Sequence, residues 1–71
     1  MITERTFRVP NISCAHCVHT IERELGELPG VVSVRANVAD KLVTVEWNDT
    51  LVRWEDIRAL LQEINYSPEA D

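Results

Sequence analysis

A chain of 71 residues holds one small hydrophobic core, so the sequence predicts a single domain over residues 1–71. With 45% apolar and 27% charged residues it has the balance of a folded globule, and its longest apolar runs are far too short to span a bilayer. Seven basic residues against twelve acidic ones give a net charge of −5, which repels nucleic acid and anionic lipid and favours a positively charged protein partner.

The opening "MITERTFRVP" lacks the basic end and apolar stretch of a secretory signal, and a cytoplasmic location is expected. "RTFRV" then alternates, with Phe7 and Val9 on one face and Arg8 on the other, predicting a strand over roughly 3–9 that Pro10 stops. Val18, Ile21, Leu25 and Leu28 follow at helical spacing, with Ser13 placed to cap the helix and Pro29-Gly30 to end it. "VVSVRANV" puts Val32, Val34, Ala36 and Val38 on one face of a second strand. "ADK" supplies a tight turn into "LVTVEW", whose Val43, Val45 and Trp47 face inward. Ile57, Leu60, Leu61 and Ile64 mark a second helix over roughly 53–64, with Glu55 and Asp56 favourable in its first turn and Arg53 a poor cap. "YSPEA" completes the pattern as a short edge strand in which Pro68 is tolerated. The order βαββαβ predicts an α+β, ferredoxin-like sandwich: a four-stranded antiparallel sheet with both helices on one face and water on the other.

The chemistry of the chain is concentrated in "SCAHC". Cys14 falls in the loop after the first strand and Cys17 in the first turn of the helix, where unpaired N–H groups and the dipole favour thiolates. Two cysteines are too few for a secreted disulfide framework, and a C-x-x-C pair in a reducing compartment is more often metal-binding or redox-active. A structural zinc site wants four ligands, and the histidines, His16 and His19, lie in the same short run as the cysteines, too compact to surround one ion. Copper(I) is soft and can be satisfied by two sulfurs. Incidental buried thiols are the plain alternative, and the placement at a helix start argues against it.

With "CAHC" between strand and helix, "GELPGV", "VRANV", "LVTVEW" and "INY", the chain resembles the heavy-metal-associated domain family over nearly its whole length. That family includes bacterial copper chaperones and the N-terminal domains of copper-transporting P-type ATPases. Its motif G-M-T-C-x-x-C reads here Asn11-Ile12-Ser13-Cys14-Ala15-His16-Cys17. The resemblance implies that Cys14 and Cys17 bind the metal and that Ile12 replaces a buried methionine as the apolar anchor of the loop. Asn11 stands for glycine and Ser13 for threonine, which alters loop flexibility but not the ligands. Tyr66 matches the bacterial members, which usually carry a tyrosine after the second helix near the metal; its hydroxyl is read as screening the metal loop, and a ring that covers the core edge is the plain alternative. An acidic residue before the first cysteine is typical of exporters of zinc, cadmium or lead; Ser13 stands there instead, which favours Cu(I).

The resemblance therefore implies a cytoplasmic, non-enzymatic Cu(I) carrier that passes its ion by thiolate exchange to a copper-transporting P-type ATPase or another copper-accepting protein. A free-standing chaperone is expected over a domain of a pump. Carriage of Zn(II), Cd(II) or Hg(II), and a homodimer bridged by metal, are the alternatives. A thioredoxin-type oxidoreductase also uses C-x-x-C at a helix start, but Pro68 lies too near the end to serve as its active-site proline. An RNA-binding sheet would need aromatics and basic charge where Arg8, Thr44 and Glu46 stand. His16 is read as a solvated or partner-facing residue, His19 as exposed, and Glu22, Glu24, Glu27 and Glu63 as solvated helix faces.

Overall fold

The computed structural model describes residues 1–69, which form β1 (Ile2–Arg8), α1 (Ala15–Gly26), β2 (Val31–Ala36), β3 (Leu42–Asn48) and α2 (Trp54–Glu63). β3 lies at the centre of an antiparallel sheet ordered β1-β3-β2. Its alternation is kept throughout, with Val43, Val45 and Trp47 buried and Thr44 and Glu46 towards the open face. β1 pairs with it in unbroken register from Ile2↔Asn48 to Arg8↔Leu42, which sets Phe7 beside Val43.

β2 departs from its expected alternation. A bulge between Val31 and Ser33 inserts an extra residue against β3 and turns Val32 outward, leaving it 59% exposed. Val34 and Ala36 keep the predicted inward face, and Val38 falls beyond the strand and is exposed.

Ile21 and Leu25 of α1 and Ile57 and Leu61 of α2 are fully buried against the Phe7, Val43, Val45 and Trp47 face of the sheet, so both helices lie on one side as expected. Phe7, Trp47 and Trp54 close one corner. The Phe7 and Trp54 rings meet edge to face at 5.0 Å, and the Arg5 guanidinium lies 4.2 Å from the Trp54 ring centre. α1 ends at Gly26, short of Leu28, which still packs on the core. The turn into β2 uses Gly30 at φ +100, where an added Cβ would lie 2.7 Å from Cβ of Leu51.

Two expectations are corrected here. The sheet has three strands among the described residues, not four: Tyr66–Glu69 of the expected terminal strand are not in a ladder, and Ala70 lies outside the described residues. Pro68 has no N–H to give, and only the Glu69 N–H reaches the Arg8 carbonyl, at 2.7 Å. Secondly, Ser13 does not cap α1. Cys14 occupies the N-cap with extended backbone and makes no side-chain cap bond.

Candidate functional site

The site grows from the chain reversal after β1. Val9 is fully buried, Ile12 N–H bonds to the Val9 carbonyl at 3.1 Å, and the fully buried Ile12 side chain pins the loop from beneath, as expected of an apolar anchor. The loop then delivers Cys14 to the N-cap and Cys17 to the first turn. Cys17 N–H bonds back to the Cys14 carbonyl at 3.1 Å, which stacks the two residues on one side of the turn.

Both thiols are free, with Sγ atoms 3.7 Å apart; Cys14 is exposed and Cys17 buried. The Cys17 thiol is lowered from 9.0 to about 6, chiefly by a hydrogen bond from the Tyr66 side chain and then by one from the Ser13 backbone. Burial works against this, while the Ser13 hydroxyl, 3.8 Å away, and the Cys14 thiol add smaller help. In turn the Tyr66 hydroxyl is raised above its ordinary value, first by the same hydrogen bond and then by burial. Cys17 is thus largely a thiolate at neutral pH, held by donors from the loop, the helix start and the chain beyond α2.

Tyr66 reaches the sulfur because α2 ends in a Schellman turn. Asn65 takes a left-handed φ of 70, its N–H bonds to the Gln62 carbonyl, and the Tyr66 N–H bonds to the Leu61 carbonyl at 2.8 Å. The predicted residues Ile12, Ser13, Cys14, Cys17 and Tyr66 therefore converge. His16 and His19 do not: both are exposed, and no third His, Cys, Asp or Glu groups with the cysteines among the described residues. Glu22 departs from its expected solvated role, since its carboxylate accepts the Ala36 N–H at 3.3 Å.

Two supports of the loop were missed from sequence. Lys41 sends its ammonium to the Ile12 carbonyl at 2.7 Å and the Pro10 carbonyl at 3.4 Å. Asn11 donates its side-chain amide to the Asn65 carbonyl at 2.7 Å. An asparagine just past a helix is a signal that could have found Asn65; nothing in the sequence marked Lys41.

The family model "Heavy-metal-associated domain" matches residues 6–67, taking in the end of β1, the cysteine loop, both helices and Tyr66. This chain belongs to that family. The domain is 34% identical over 65 residues to "Copper chaperone CopZ" of Staphylococcus epidermidis, covering 92% of this chain and 96% of that one. It is 35% identical over 63 residues to the "Probable copper-exporting P-type ATPase" of Archaeoglobus fulgidus, covering 89% of this chain but only 8% of that much longer protein. A solution structure of the N-terminal domain of a potential copper-translocating P-type ATPase from Bacillus subtilis, in the Cu(I)-loaded state, superposes with a TM-score of 0.89. It is 28% identical and covers 96% of this chain and 85% of that one. These neighbours place the domain in the ferredoxin-like class. The relatives matched over nearly their full length are chaperones and not enzymes, and the βαββα order is not that of a thioredoxin.

Proposed function

We propose that this heavy-metal-associated domain is a cytoplasmic Cu(I) carrier. It takes the ion on Cys14 and Cys17 and passes it to a copper-accepting protein such as a copper-transporting P-type ATPase. The observation that carries the reading is the convergence of two free sulfurs to 3.7 Å, with no third donor grouped beside them among the described residues. A soft ion content with two thiolates needs nothing further, whereas structural zinc wants four ligands. The names of the relatives support the same choice.

The unequal burial of the two sulfurs gives the exchange an order. For metal–sulfur bonds of about 2.3 Å, the length known for zinc, a straight S–M–S unit spans about 4.6 Å, roughly 1 Å more than the present separation. Exposed Cys14 supplies that movement and Cys17 stays in place. An incoming partner thiolate would add to the ion on the Cys14 side so that three sulfurs share it; the Cys14 bond would then break, and a second partner thiolate would displace Cys17 in the same way. Each bond lost is matched by one gained.

A second reading rests on the same distance. At 3.7 Å the two sulfurs subtend close to a tetrahedral angle, so two copies could enclose a Zn(II), Cd(II) or Hg(II) ion with four thiolates in a metal-bridged homodimer. Mass spectrometry under non-denaturing conditions, with competition from a Cu(I) chelator, separates the readings. One Cu(I) per chain is expected, lost in the Cys14→Ser, Cys17→Ser double variant. Unchanged affinity in that variant removes the carrier reading, and four-sulfur dimers loaded with a divalent ion favour the second.

A further inference from the structure

The only two residues other than glycine with positive φ among the described residues are Lys41 at 60 and Asn65 at 70. Both touch the segment that leads into the cysteine loop. Left-handed backbone is disfavoured for a residue with a Cβ, and it persists where surrounding contacts hold it. At Lys41 those contacts are plain. Its carbonyl accepts the Val9 N–H at 2.8 Å, while its ammonium turns back over the next residues to the Pro10 and Ile12 carbonyls. One residue of the β2–β3 turn thereby brackets the chain from Val9 to Ile12, ending two residues before Cys14. At Asn65 the exposed carbonyl accepts the Asn11 amide, which ties the same loop to the Schellman turn that aims Tyr66 at Cys17.

We propose that Lys41 and Asn11 are positioning residues that fix the cysteine loop in its metal-receiving form before any ion arrives. The proposal rests on the carrier reading and deepens it. Neither side chain touches the ion. Lys41 acts through the Pro10 and Ile12 carbonyls, and Asn11 acts through Asn65. The loop departs from the family motif at Asn11, where glycine is usual, and the hydrogen bond that its side-chain amide donates to the Asn65 carbonyl gives this chain a tether that glycine cannot make. Ordering a loop before binding removes a cost otherwise met at the moment of binding, and so tightens retention.

Two measurements on Lys41→Met, Lys41→Arg and Asn11→Gly test the proposal. Methionine keeps the aliphatic stem and removes the donors; arginine keeps charged donors. In the metal-free protein, hydrogen exchange at the Ile12 amide should speed up about tenfold in Lys41→Met, the size of losing one hydrogen bond from a charged donor. The amides of Val43 and Val45 should keep their protection, which shows that the variant is folded. Cu(I) retention against a chelator should fall about tenfold in Lys41→Met, less in Asn11→Gly, and return towards the parent in Lys41→Arg. Parent-like exchange and retention in Lys41→Met overturn the proposal, as does a Lys41→Arg variant no better than Lys41→Met. Should Lys41→Met lose protection at Val43 and Val45, the Asn11→Gly exchange at Ile12 decides instead: faster exchange upholds the proposal, unchanged exchange overturns it. If the parent chain retains no Cu(I), the carrier reading fails, and the exchange comparison still judges the clamp.

Discussion

At the sulfur of Cys17, several hydrogen-bond donors outweigh burial, and the Tyr66 hydroxyl is the strongest of them. The folded value of about 6 lies below the unfolded 9.0, so between these limits the unfolded chain binds more protons. This group's contribution to the stability of the metal-free protein is therefore complete above the unfolded value, and it is lost as pH falls through about 6. Protons compete with metal over the same low range. Thiolate absorbance followed against pH should show a midpoint near 6, and Tyr66→Phe should move it upward. A midpoint unmoved in Tyr66→Phe would show that the hydroxyl is not the chief donor. Cys14 and Cys17 were legible from type and spacing alone, because C-x-x-C at a helix start has few uses. Tyr66 near the loop was legible only through the family resemblance, and its hydrogen bond to Cys17 was not, since it joins residues far apart in sequence.

Among the elements, both helix starts are imperfect in ways that serve different ends. α2 begins at Arg53, which has no side-chain acceptor, and the Asp56 carboxylate compensates by accepting the Arg53 N–H at 3.1 Å. α1 begins at Cys14, in the extended conformation that suits serine or aspartate, yet without a cap bond. On the carrier reading proposed above, the sulfur at this position gives up capping in order to serve as a ligand. Cys14→Ser should therefore raise the stability of the metal-free protein by about 0.5–1 kcal/mol in urea unfolding, while Cu(I) retention is lost. A loss of stability would mean that Cys14 has a packing role that its exposure does not suggest. The helices and β3 were readable because their apolar periods are regular. The bulge in β2 was not readable: it leaves no mark in "VVSVRA", and it is set by how the strand meets β3.

The whole molecule has two poles. The cysteine loop, Lys41 and Tyr66 lie beyond the Leu42 end of β3, while Gly30, Leu51 and Val52 pack at its Asn48 end, about 20 Å away along the strand. Gly30→Ala would force a Cβ to within 2.7 Å of Cβ of Leu51 at a φ of +100. Such strain costs about 1–3 kcal/mol, a large share of the few kcal/mol that a domain of this size has. The urea midpoint should fall accordingly. Cu(I) retention, measured where the variant is still folded, should stay at the parent value because the strain sits at the other pole. A parallel fall in retention would show that the poles are coupled through β3.

The sequence by itself determined the α+β class, the two helices on one face, the inward residues of β3 and the cysteine pair at a helix start. Each is written in local periodicity or in a short motif, and local rules suffice for it. Only the tertiary structure decided the bulge at Val32, the absence of a ladder at Tyr66–Glu69, the Tyr66 contact with Cys17 and the clamping of the loop by Lys41 and Asn11. These depend on which distant polar groups, of backbone and side chain alike, meet once the core has closed, and no local pattern records that.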